Sequence, residues 1–191
     1  MTQYYKMESD NYLDYGVTKA PKLGSQSILG GGRIHQQTLP PLVYEIDFPD
    51  NMDVPHLLTG GTVLVSERFI NLLKAEAVDN FQAFPVELLN PITGKRRKDF
   101  YLFNVVGLMK ASDMTKSTYD ELMAGSSDGI ETPLVAFDEI VIDCEKTMGL
   151  PMFRLAEDPT ALIVSENIVE ALSDNRPENG WGIDVIELKC V

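Results

Sequence analysis

The sequence is short of the residues that do most catalytic and metal-binding work. It has two histidines, His35 and His56, two cysteines, Cys144 and Cys190, and a single tryptophan. Neither histidine has another histidine or a cysteine at ligand spacing, which argues against a zinc site. No apolar stretch approaches the roughly 18 residues that a membrane span needs. Met1-Thr2-Gln3-Tyr4-Tyr5 carries neither a basic segment followed by an apolar core nor a cleavage site. The chain is therefore expected in the cytoplasm without a membrane partner. There, reduced thiols suit Cys144 and Cys190 better than the one disulfide they could form. Basic side chains are outnumbered, 16 against 29 acidic ones, for a net charge of −13. Such a surface repels phosphate backbones, so nucleic acid is a poor partner.

Motifs for cofactors and nucleophiles are equally scarce. Gly30-Gly31-Gly32-Arg33 could offer backbone amides to an anion, yet it neither follows a clear strand nor opens a helix. It reads better as a flexible turn, and anion binding there stays open. Gly125-Ser126-Ser127-Asp128-Gly129 lacks the spacing of a nucleophile elbow and reads as a loop. Cys144 and His56 could meet in space as a nucleophile and base, but Cys144 follows the strand-like Val141-Ile142-Asp143, where a cysteine is usually a packing residue. No cofactor, metal ligand or catalytic residue is assigned.

What is present is a phrase said twice. Val63-Leu64-Val65-Ser66-Glu67 recurs as Leu162-Ile163-Val164-Ser165-Glu166. In each copy an apolar strand meets a serine able to accept from the free N–H groups of a new helix, beside a carboxylate that favours the positive helix end. Ser66 and Ser165 are thus expected as helix caps. Phe69, Ile70 and Leu73 match Ile168, Val169 and Leu172 as apolar stripes, and Phe81 to Leu88 can be laid over Trp181 to Leu188 as returning strands. Two capped strand-helix-strand units related as a pseudo-repeat follow.

Around these units, residues 1–40 read as a loop-rich N-terminal segment with a helix at most. Residues 41–191 read as one α+β domain, or as two packed lobes at 41–110 and 130–191. Leu42 to Phe48 alternates as a strand, and Phe81 to Leu89 with Phe100 to Lys110 predicts a β-hairpin tipped by Lys95-Arg96-Arg97-Lys98. Thr118 to Met123 suggests a short helix; Ile130 to Cys144 and Met152 to Leu155 suggest strands. Without strict βαβ alternation the expected class is α+β with a largely antiparallel sheet.

The acid is spread along the chain, including Asp138, Glu139, Glu157 and Asp158. Such charge either solubilises the surface or steers a basic protein partner. On the second reading, these four residues are the candidate partner-binding positions.

The order Leu64-Val65-Ser66-Glu67, Phe84-Pro85-Val86, Asp99-Phe100-Tyr101-Leu102-Phe103-Asn104-Val105-Val106, Ser112-Asp113, Phe153-Arg154-Leu155 and Ile163-Val164-Ser165-Glu166 resembles a large bacterial family. These are immunity proteins of polymorphic toxin systems, long catalogued as a domain of unknown function and renamed after a myxobacterial immunity protein. The resemblance covers about residues 40 to 188. It implies a non-enzymatic inhibitor that blocks a cognate toxin by direct binding, and it offers no catalytic residues to carry over. The competing readings are a small enzyme using Cys144 or the carboxylates, and a small-molecule-binding sensor.

Overall fold

Runs of branched and aromatic residues set the strands, and the computed structural model describes residues 2–10, 15–24, 27–59, 62–123 and 132–191. The first third of the chain forms β1 (Tyr4–Ser9), β2 (Val17–Lys19), a 3-10 turn (Gln36–Thr38), β3 (Val43–Ile46), β4 (Leu57–Leu58) and β5 (Leu64–Ser66). Helix α1 (Glu67–Ala75) leads into β6 (Phe81–Leu89), β7 (Arg96–Val105), β8 (Leu108–Met109) and β9 (Thr118–Met123). The remainder comprises β10 (Leu134–Glu139), β11 (Val141–Ile142), β12 (Met152–Leu155), β13 (Leu162–Ser165), α2 (Glu166–Asp174), β14 (Ile183–Glu187) and β15 (Lys189–Cys190).

A six-stranded sheet runs in the order β2-β3-β6-β7-β5-β4, and a five-stranded sheet in the order β14-β1-β13-β12-β8. Two small pairs, β9 with β10 and β11 with β15, complete the strands. Pairing is antiparallel except for β3 with β6, β8 with β12 and β11 with β15. The fold is mixed α and β, mostly sheet, with antiparallel pairing dominant.

The five-stranded sheet is covered on both faces. Met7, Met152, Leu162 and Val164 join the large core shared with the six-stranded sheet and both helices. Tyr4, Phe153, Leu155 and Ile163 pack the other way, onto Ile142 and Leu188. That double cover explains why β12 and β13 read as continuous runs rather than alternating ones.

The two strand-helix-strand units share a plan. In each, one antiparallel strand separates the strand entering the helix from the strand leaving it: β7 lies between β5 and β6, and β1 between β13 and β14. The likeness stops at the caps. Ser66 Oγ accepts from Phe69 N at 3.1 Å, whereas Ser165 holds the same backbone position with no side-chain cap bond and a buried, unpartnered hydroxyl. Ser66 Oγ also lies 2.6 Å from His56 Nδ1, and the position ten residues before Ser165 is Leu155, which cannot orient a hydroxyl. Ser165 is therefore a cap by position only, contrary to expectation.

Other expectations need correction. Tyr4 to Ser9 is a central strand, not a loop or helix; its register with β13 and β14 comes from residues far along the chain, which local propensity cannot report. Thr118 to Met123 is a strand, because β10 folds back onto it. The strand expected at Ile130 to Cys144 is split into β10 and β11 by Ile140, and Ile130 itself lies outside the described residues. Arg96, Arg97 and Lys98 belong to the β7 ladder rather than to the hairpin tip: Arg96 pairs with Leu89 and Arg97 with Leu88. The turn is tied by Asn90, whose Oδ1 accepts from Ile92 N at 2.9 Å and Thr93 N at 3.1 Å.

Candidate functional site

A cleft of about 630 Å³ opens where residues 51–56, the first turn of α1, the start of β7 and the loop after α2 converge. Gly182 makes the convergence: its φ is +63°, and a Cβ there would stand 2.6 Å from Pro55 Cβ. The neighbouring Trp181 turns inward and its Nε1 donates to Leu172 O at 2.7 Å. His56 packs edge-on to its ring at 4.9 Å between centroids, and the Arg68 guanidinium lies over it at 5.3 Å. Backbone bonds fix the pair, since His56 N donates to Trp181 O at 2.8 Å. Arg68 Nη2 donates to Asn175 O at 2.8 Å, which ties the first helix to the end of the second.

On the opposite wall Arg97 forms a two-bond ion pair with Asp99, at 3.1 and 2.7 Å, and lies over the Phe100 ring. The Asp99 carboxyl is held below its usual range first by the hydrogen bond from Arg97. Burial lowers the His56 pKa, and the Arg68 and Arg97 charges lower it further. A neutral His56 with its proton on Nε2 fits the network: Ser66 Oγ accepts from Phe69 N and donates to His56 Nδ1. The serine is 3% exposed, so its hydroxyl serves the helix rather than the cleft. The arrangement offers aromatic, cationic and carboxylate groups on a fixed frame, the mixture found at recognition hot spots.

The sequence-predicted positions scatter. Asp138 and Glu139 are exposed at the end of β10, with Glu139 paired to Lys189 at 2.5 Å. Glu157 is only 4% exposed, its Oε2 is unpartnered, and burial raises its pKa; the carboxyl is turned into the protein. Asp158 is half-buried and closes its own turn, accepting from Thr160 N at 3.0 Å and from Thr160 Oγ1 at 2.6 Å. Cys144 is bonded to Cys190, with 5.7 Å between their Cα atoms, rather than packing as a free thiol. The parallel pairing of β11 with β15 brings them together. His56 is committed to Ser66 and Trp181, so the structure does not join it to Cys144.

The glycine run is a structural turn. Gly31 O accepts from Gly107 N at 2.7 Å, Gly32 O from Asn104 Nδ2 at 3.0 Å, and Ile34 N donates to Gln82 Oε1 at 2.8 Å. Residues 125–129 lie outside the described residues. The basic run is neutralised in place, Lys95 by Asp50, Arg96 and Lys98 by Glu87, and Arg97 by Asp99. Among the described residues no group of His, Cys, Asp and Glu side chains could hold a metal ion, and no helix is long and apolar enough to cross a membrane. The Trp181 cleft was missed by residue type alone; its one signal is the lone tryptophan set between Gly180 and Gly182.

Residues 34–188 match the profile of the Imm11 immunity protein family. The chain belongs to the Imm11 immunity family. No curated protein matches it. The Imm11 match spans β3 to β14 and so takes in both helices and the lining of the Trp181 cleft except Asp10, while β1 lies outside it and still completes the five-stranded sheet. Membership is the same family relation that the ordered phrases imply, and its match begins at residue 34 rather than near 40.

Proposed function

We propose that this Imm11 protein neutralises a cognate toxin of a polymorphic toxin system by binding it directly in the cytoplasm, as a protection in competition between bacteria. The family match over residues 34–188 carries the reading. No bond is made or broken in this task. What it needs is a surface that captures fast and holds tightly, and the two demands fall on different residues. The Trp181 cleft, with Arg68 and Arg97 on a rigid frame, is suited to anchor a side chain of the toxin. The net charge of −13, with Asp138 and Glu139 exposed, is suited to draw in a basic partner and raise its on-rate. Glu157, being buried, drops out of that role, and Asp158 contributes charge only.

The test is co-expression with the protein encoded immediately upstream, purification of the complex, and binding kinetics. Association should slow as salt shortens the Debye length from about 30 to about 8 Å, with dissociation much less affected. Asp138→Lys and Glu139→Lys should lower the on-rate, whereas Arg68→Ala should raise the off-rate. Absence of any complex sinks the toxin-binding reading. Salt-independent association of every variant would reduce the acidity to a solubility trait. Loss of protection in a folded, abundant Cys144→Ser variant but not in an equally folded Cys190→Ser variant, which breaks the same bridge, would instead favour the enzyme.

A further inference from the structure

A second cavity, of about 310 Å³, lies at the seam between the two large sheets, where β1, β12 and β13 face β4 and the segment around Ile28. Met7, Ile28, Leu57, Val63 and Leu162 give it an apolar lining, which Thr59, Thr62 and Thr160 interrupt. Among them stands Arg154, which is 1% exposed. β12 brings it there by register, since Arg154 pairs across the ladder with Leu162 and so follows Met152 onto the face shared with the other sheet.

A buried guanidinium is costly unless it is paired. No carboxylate among the described residues lies within ion-pair distance of this one. Nη1 donates to Pro159 O at 2.8 Å and to Thr160 O at 3.1 Å. Nε is buried without a partner, and the hydrogen bonds that Arg154 makes to the described residues both come from Nη1, which leaves the Nε–Nη2 edge without a protein acceptor among them. That edge is the one a carboxylate grips with two parallel bonds. Burial lowers the Arg154 pKa to about 10 against the opposing charge of Asp158, which acts on it without an ion-pair contact, and the group stays fully charged at neutral pH. Lys6 and Glu8 also line the cavity, but they neutralise each other at 3.0 Å.

The geometry points to a binding site for a small aliphatic monocarboxylate, held with its tail among Met7, Ile28, Leu57 and Leu162 and its carboxylate on Arg154. The ligand would supply a counter-charge in direct contact. Its size follows from the volume: at about 30 Å³ per water-sized group, the cavity holds a molecule of roughly ten non-hydrogen atoms. Bound there, it would fasten β1 and β12 to β4. The site is distinct from the Trp181 cleft and stands whether or not the protein neutralises a toxin.

Octanoate, with ten non-hydrogen atoms, is the probe. The full chain is titrated with sodium octanoate, 1-octanol and sodium acetate, following heat of binding and thermal unfolding. Octanoate should bind saturably, octanol at least tenfold more weakly, and acetate not at all. In Arg154→Met the preference for acid over alcohol should vanish, while in Lys6→Gln it should persist. Absence of octanoate binding, equal binding of acid and alcohol, or loss of the preference in Lys6→Gln with its retention in Arg154→Met would each overturn the assignment. Because the three-ligand comparison is made on the unaltered protein, it decides the matter even if Arg154→Met does not fold.

Discussion

Two serines in nearly the same backbone conformation should respond oppositely to the same substitution. Ser66 sits at φ −73°, ψ 158° and Ser165 at φ −78°, ψ 162°, each opening a nine-residue helix. Ser66→Ala deletes the acceptor of Phe69 N and strips His56 Nδ1 of its partner. The cap is worth about 1 kcal/mol. A ring nitrogen left unpaired in a partly buried site adds about 1 kcal/mol or more. The sum is about 2 kcal/mol, or a fall in Tm of about 4–8 °C for a chain of this size. Ser165→Ala removes a buried hydroxyl that bonds nothing, so stability should stay within about 0.5 kcal/mol of the parent or rise slightly. Urea unfolding with a shared m-value measures both. Equal losses in the two variants, or a larger loss at Ser165, would refute the idea that hydrogen bonding, rather than position at the helix start, sets the energetics.

Three further outcomes are expected. Cys190→Ser, or reduction of the parent, opens a link between residues 46 positions apart and should lower stability by about 2–4 kcal/mol, read by unfolding alongside thiol alkylation; unchanged stability would show that the bridge contributes nothing. His56 has a folded-state pKa below its ordinary value of 6.5, so the unfolded chain binds more protons between the two values. Stability should therefore be full above about pH 6.5 and fall as pH drops toward the folded-state pKa, a slope that His56→Gln should flatten. Glu157 has the opposite sign: burial raises its pKa, so the fold disfavours the ionised form that the unfolded chain carries at neutral pH, and Glu157→Gln should be more stable than the parent at pH 7 and lose that advantage as pH falls toward the ordinary carboxylate range.

What the residues disclose locally was legible, and what they disclose only in company was not. The β5-α1 and β13-α2 junctions stand out because an apolar run, a serine and a helical stripe lie together in sequence. The β6-β7 hairpin stands out for the same reason, its partners being separated by one turn. β1 was illegible because Tyr-Tyr-Lys-Met-Glu-Ser takes its strand character from β13 and β14. The Cys144–Cys190 bond was disfavoured against reduced thiols for a related reason, since it needs the parallel pairing of two-residue strands from distant segments. At the cleft, Arg97 was concealed in a run of four basic residues that looked like a solvated tip, and Trp181 among turn residues. Acidic positions were chosen by sign alone, and charge in a sequence does not say which carboxylate is buried; Glu157 is the case in point.

The position of β1 has a consequence for how the chain is made. Its six residues leave the ribosome well before its neighbours in the sheet, β13 and β14, which span residues 162–187. Until then Tyr4 to Ser9 has both edges of backbone N–H and C=O groups unsatisfied, while β2 to β7 can already assemble the six-stranded sheet. Closing a loop of this length delays formation of the second sheet, which reaches its native topology only after residue 187 has been made. During that interval the nascent strand is open to pairing with other chains, and an early, tight grip on β1 by a chaperone would serve yield more than any gain in final stability.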